Sequence, residues 1–136
     1  MASKYSGITN AFDLIAVKQR ISEEDVFMIR MAVMTALDGA KRRAATGRMA
    51  NTLSLHLLTA CGIWSQMGNK PLYDEGARAW RAHSNALQRP TDLLDLTTGE
   101  YAAIKLAIRH YVLALPKLEV GVFNRAQAKA LAELEG

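Results

Sequence analysis

The side chains with the widest chemical range in this sequence are one cysteine and three histidines. A cysteine nucleophile needs a base beside it, and the nearest preceding histidine, His56, stands five residues before Cys61, well off the same face of a helix. Cys61 instead stands among Leu57, Leu58 and Trp64. We therefore expect a buried thiol without a catalytic role.

Metal and phosphate chemistry have no local support either. His56, His83 and His110 lie on three separate segments, without the spacing to a second histidine or a carboxylate that zinc sites show. The nine glycines never form a phosphate-binding loop. The acidic residues at 23–25 and 92–95 are better explained by a helix start and a connector. These observations predict a non-catalytic protein with no metal and no cofactor.

Basic residues are concentrated in the middle of the chain. Residues 41–89 carry eight lysines and arginines against two acidic residues, whereas residues 1–40 and 90–136 each have a net charge of −1. The guanidinium group of arginine donates paired hydrogen bonds that match phosphates and carboxylates, and an asparagine among the arginines is able to contact the edge of a base. The alternative is a solvated helix face with charges that favour the helix dipole. The predicted partner-binding residues are Lys41, Arg42, Arg43, Arg48, Arg78, Arg81, Asn85 and Arg89.

The element around which we expect the chain to fold is a long central helix over about residues 22–45. Ser22 is suited to cap its first turn, and the acidic residues that follow favour the positive end of the helix dipole. The basic residues 41–43 favour the negative end, and Thr46-Gly47 marks an exit. Whether residues 22–67 form one bent helix or two does not follow from the sequence.

The apolar residues of this helix cover most of its circumference. That pattern is typical of a helix buried among its neighbours, which is the interpretation we favour. Methionines also recur at adaptable binding surfaces, so the alternative is self-association of two chains. The residues predicted for that contact are Phe27, Met28 and Met31.

The remaining segments also have helical spacing. Helices are predicted over residues 11–20, 49–67, 72–88, 99–116 and 125–135, with a strong turn at 68–71. Thr97 and Glu100 form a capping-box pattern before the helix predicted over 99–116, and Asn124 is the expected cap of the helix over 125–135. The only strand candidate is 118–123. The residues expected to face inward on the helix over 72–88 are Tyr73, Ala77, Trp80 and Leu87.

Together these patterns predict one all-α domain over residues 1–136, a bundle of five or six helices around the central one. The chain is long enough, and with 50% hydrophobic residues apolar enough, to bury a core. It shows no signal-peptide pattern and no apolar run near the roughly 20 residues of a membrane span. A single cysteine fits a reducing compartment, so we expect a soluble cytoplasmic protein.

The functional hypothesis is a small adaptor, inhibitor or regulator that binds a macromolecular partner, first of all a protein, through its basic surface. Direct binding of DNA or RNA through the same residues is the first alternative. A homodimeric structural protein is the second.

Overall fold

A computed structural model describes residues 18–90 and 94–136, which form an all-α helical bundle, as predicted. A short 3-10 helix, Leu115–Lys117, follows the fourth of its α-helices directly. The helix predicted over residues 11–20 lies almost entirely outside the described residues. The five described α-helices are α1 (Glu23–Lys41), α2 (Gly47–Met67), α3 (Lys70–Leu87), α4 (Thr98–Ala114) and α5 (Val120–Glu135).

Residues 22–67 form two helices rather than one bent helix. Ser22 caps α1, as predicted, because its hydroxyl accepts a hydrogen bond from an amide of the first turn at 3.1 Å. α1 ends at Lys41, where the chain folds back and the amide of Ala44 donates to the carbonyl of Gly39 at 2.8 Å. Thr46 then caps α2 with its own hydroxyl.

The most enclosed helix is α2 and not α1. Among the described residues, α2 contacts each of the other four α-helices, whereas α1 is buried along one side only, mainly at Val33, Leu37 and Ala40. The prediction of a central helix over 22–45 is therefore corrected. α1 is an outer helix, and its apolar residues lie on its solvent side as well as on its buried side. The large buried side chains of α2 include Leu53, Leu57, Ile63 and Trp64.

α3 is rotated relative to the prediction. The turn predicted at 68–71, before α3, is confirmed, since Gly68 has a φ of 67°, which glycine adopts without a steric penalty. Asn69 caps the first helical turn of α3. Tyr73 and Leu87, predicted to face inward, are exposed. The small inner residues let α3 approach α2 closely, because a Cβ atom at Gly76 would lie 3.1 Å from the nearest side chain of α2. The buried residues of α3 are Gly76, Ala79, His83 and Ala86.

The capping box of α4 is confirmed, and the start of α5 differs from the prediction. The Thr97 hydroxyl accepts from the amide of Glu100, whose carboxylate accepts from the amide of Thr97, at 3.1 and 2.8 Å. α5 begins at Val120, four residues before the predicted cap Asn124. Most of the strand candidate 118–123 therefore forms the first turn of a helix. The buried residues of α5 follow helical spacing: Gly121, Phe123, Ala126 and Ala130.

Successive helices run in opposite directions. His83 near the end of α3 contacts Ala50 near the start of α2, and Gln66 near the end of α2 donates to the carbonyl of Val122 at the start of α5. One end of the bundle therefore collects the end of α1, the start of α2, the end of α3 and the start of α4. We call this the junction end; it comprises residues 41–48, 87–90 and 94–101.

Candidate interaction surfaces

The junction end carries the predicted basic residues of the α1–α2 connection. Lys41, Arg42, Arg43 and Arg48 are all exposed. Arg42 pairs with a carboxylate one turn back in α1 at 3.1 Å, and Arg43 lies 3.7 Å from a carboxylate oxygen of Asp95. Both pairs are open to solvent and therefore weak. Within the described residues, Lys41 and Arg48 have no ion pair, so they leave positive charge for a partner.

Arg43 has an unusual backbone. Its φ is 57°, the only positive φ of a non-glycine residue in the part of the chain that the structure describes. Its amide donates to the carbonyl of Ala40, and the next amide donates to the carbonyl of Gly39, which together form a Schellman motif. Glycine is the usual residue at this position, because any Cβ atom there costs roughly 1 kcal/mol.

Arg89 is held by contacts inside the protein. Its guanidinium donates to the carbonyl of Asp95 at 2.5 Å and to the carboxylate of Glu100, the same carboxylate that caps α4. The hydrogen bond from Arg89 holds the pKa of Glu100 below its usual range. Arg89 thus links the end of α3 to the start of α4. Its positive charge is compensated within the protein, so no binding partner is needed to explain it.

A second basic surface lies on the outer side of α3. Arg78, Arg81 and Asn85 are exposed and point away from the inner face of the helix, as predicted. Neither arginine has an ion pair with another described residue. We call these three residues the α3 flank. With a rise of about 1.5 Å per residue, the flank extends over roughly 10 Å of the helix.

An apolar surface lies on the solvent side of α1. Phe27, Met28, Met31 and Met34 are 49%, 61%, 49% and 49% exposed, and we call these four residues the α1 face. The guanidinium carbon of Arg30 lies 5.8 Å from the centre of the Phe27 ring and covers part of it. Met34 was missing from the predicted self-association residues. Its place three residues after Met31 and seven after Phe27 is the signal that identifies it.

Two of the histidines belong to the core. His56 Nδ1 lies 2.6 Å from the hydroxyl oxygen of Tyr111, which joins α2 to α4, and burial lowers the pKa of His56 to about 4. His83 Nε2 donates to the carbonyl of Ala50 at 3.0 Å, and burial lowers the pKa of this ring also. Among the described residues, His83 Nδ1 has no hydrogen-bond partner. Both rings are therefore neutral at physiological pH.

Cys61 is half-buried rather than buried. It lines a groove of about 250 Å³ between α2, α3 and α5, together with Tyr73, Trp80 and Glu133. Burial and then the negative charge of Glu133 raise the pKa of the Cys61 thiol to about 11. At neutral pH the sulfur is protonated and a poor nucleophile. His56 does not line the groove.

No metal-binding cluster of three or more histidine, cysteine or acidic residues is present in residues 18–90 and 94–136. His110 of α4 instead pairs with Glu75 of α3 at 2.6 Å.

None of the described helices has the length and apolar composition needed to cross a membrane. No protein-family model, curated protein or solved structure matches the chain.

Proposed function

We propose that this protein is a non-catalytic regulator, adaptor or inhibitor that acts by binding an acidic surface of a partner protein. One observation carries the proposal. Lys41, Arg48, Arg78 and Arg81 are exposed cations that have no ion pair within the described part of the chain, and they lie in residues 41–89, which carry eight basic residues against two acidic ones. The contact residues are Lys41, Arg42, Arg43 and Arg48 at the junction end with Arg78, Arg81 and Asn85 of the α3 flank.

The local structure of these residues supports a binding role. Each cation stands on a helix or beside a helix end, so the backbone that carries it is already ordered before a partner arrives. Backbone conformations of high energy cluster at functional sites, and Arg43 has one within the basic surface. Arg89 is left out of the contact, because its guanidinium is bound to Asp95 and Glu100.

Reversal of four charges tests the proposal. We expect the variant with Arg42→Glu, Arg43→Glu, Arg78→Glu and Arg81→Glu to lose its partner in a pull-down from the lysate of the native host, read by mass spectrometry. Thermal stability should change little, because all four side chains are exposed. Retention of the partner by this variant would show that the basic surface is not the site.

A matched control keeps the change in net charge and moves it elsewhere. Lys105, Arg109, Lys117 and Lys129 are exposed and lie outside the junction end and the α3 flank. The variant with glutamate at these four positions should capture the same partner as the unmodified protein. Loss of the partner in this control as well would mean that net charge, and not the proposed surface, governs binding.

Direct binding of DNA or RNA through the same residues is the second candidate. Asn85 favours it, because an exposed amide one turn from Arg81 is able to contact a base edge. Nuclease treatment of the pull-down separates the two candidates. Partners that survive digestion support the adaptor or inhibitor, whereas recovered nucleic acid with partners lost on digestion supports direct binding.

A further inference from the structure

A cleft of about 200 Å³ lies at the junction end, between the end of α1 and the start of α4. We call it the junction cleft. Its lining includes the buried residues Ala40 and Leu96 and two cations, Lys41 and Arg43. No acidic side chain of the described residues lines it, so its charge favours an anion. Three hydroxyl groups complete the lining, those of Thr97, Thr98 and Tyr101.

The carboxylates at this end of the bundle leave the two cations available. Those of Asp38 and Glu100 are already paired with arginines other than Arg43. The carboxylate of Asp95 lies 3.7 Å from Arg43 Nε, which is too long for a hydrogen bond, and this pair is open to solvent. Lys41 has no ion pair with another described residue. An anion in the junction cleft would therefore meet donors that are not yet in use.

Side chains, and not the backbone, supply the donors of the junction cleft. The amides of Arg43 and Ala44 donate to carbonyls of α1. The capping box uses the amides of Thr97 and Glu100, but the hydroxyl of Thr97 accepts there, so its own hydrogen remains for donation. The dipole of α1 explains a cation at Lys41. It does not explain an arginine at position 43, where glycine is the usual residue.

We propose that the junction cleft binds a phosphate monoester group on a side chain of the partner protein. Lys41 and Arg43 neutralise its charge, and the three hydroxyl groups donate to its oxygens. A phosphate monoester carries about −1.5 to −2 charges at pH 7 and three strong acceptor oxygens, which match two cations and three hydroxyl donors. A carboxylate has one charge and two oxygens and would leave donors unused. This inference rests on the proposed function, because it names the acidic group that the partner presents at the junction end.

Titration with phosphoserine, followed by NMR spectroscopy of the backbone amides, tests the junction cleft. At constant ionic strength, phosphoserine should bind with a dissociation constant on the order of millimolar and shift the amides of residues 41–44 and 97–101. Glutamate is the matched probe, because it carries a carboxylate in place of the phosphate. It should bind at least about tenfold more weakly. Equal binding of the two probes, or shifts confined to other residues, would overturn the proposal.

Two variants test the residues of the cleft. Lys41→Ala with Arg43→Ala removes both cations and should weaken phosphoserine binding by at least about tenfold. Tyr101→Phe removes one hydroxyl, keeps the ring and should weaken binding by about threefold or more. Arg78→Ala with Arg81→Ala is the matched control, because it removes the same charge from the α3 flank and should leave phosphoserine binding unchanged. Equal weakening in this control would mean that net charge governs binding, against the proposal.

Capture of the partner separates this inference from the proposed function. Treatment of the lysate with phosphatase should prevent capture by the unmodified protein. Capture that survives phosphatase but is lost in the quadruple charge-reversal variant would overturn this inference and leave the proposed function standing. Capture that survives both would overturn both. Loss of the partner on nuclease treatment would place the phosphate on nucleic acid and overturn a protein carrier.

Discussion

At the scale of the residue, Arg43 is a position where stability and binding are expected to oppose each other. Replacement by glycine removes the clash of the Cβ atom at a φ of 57°. Glycine also makes the unfolded chain more flexible, which offsets about 0.5 to 1 kcal/mol of that gain, so we expect Arg43→Gly to raise the free energy of unfolding by at most about 0.5 kcal/mol. Binding of the partner should weaken, because a contact cation is lost. Urea denaturation and a binding titration measure the two effects.

Arg43→Ala is the matched control for that prediction. Alanine removes the charge but keeps a Cβ atom at the same backbone position. It should therefore weaken binding as glycine does, without the gain in stability. Unchanged binding by both variants would remove Arg43 from the contact.

The roles of single residues could be predicted where they depend on neighbours in the chain. Ser22 and Thr97 were identified as caps because capping involves amides only three residues away. Arg89 was predicted to face a partner, and nothing local shows that a connector brings Glu100 to its guanidinium. The hydrogen bond between His56 and Tyr111 was missed for the same reason, since 55 residues separate them.

At the scale of the element, the contact between α2 and α4 makes stability depend on pH. Burial lowers the pKa of His56 from 6.5 to about 4, so between these values the unfolded chain binds a proton that the folded chain does not. The contribution of His56 to the free energy of unfolding is complete above pH 6.5 and decreases as the pH falls toward 4, by up to about 3 kcal/mol.

Urea denaturation at pH 7 and pH 5 measures this effect. The unmodified protein should lose more stability between the two values than His56→Gln, which carries no titrating ring on that helix face. Comparison of the two proteins cancels the acid titration of the carboxylates that they share. An equal loss in both proteins would contradict the assignment of His56.

The helices themselves were largely predictable, and their rotation was not. Helix starts and turns follow from local spacing, as at Gly68 and Thr97. Which side of a helix faces the core depends on how closely its neighbours approach. The inner side of α3 carries glycine and alanine residues, which let α2 pack closely against it. Tyr73 therefore lies on the outer side of α3, contrary to the prediction. α1 was misplaced likewise, because apolar side chains alone do not distinguish a core from an exposed face.

At the scale of the whole molecule, the distribution of charge distinguishes a protein partner from nucleic acid. The net charge is only +4, and Arg42, Arg43 and Arg89 already lie near carboxylates. The junction end and the α3 flank together hold four exposed cations that have no ion pair with another described residue, and this limits the number of phosphates that a duplex could contact there. Binding of DNA neutralises phosphates and releases their counterions, so affinity falls with salt by a slope of about −0.9 per phosphate on logarithmic axes.

We therefore expect weak binding of a random-sequence DNA duplex, with a salt slope between roughly −3 and −4 and an affinity no tighter than about micromolar at physiological salt. Fluorescence anisotropy with a labelled duplex measures both values. Arg78→Glu with Arg81→Glu should flatten the slope by about two if the α3 flank contributes, whereas Lys105→Glu with Arg109→Glu should leave it unchanged. A much steeper slope, or a dissociation constant well below micromolar at physiological salt, would favour nucleic acid as the target. Either result requires more phosphate contacts than these four cations supply.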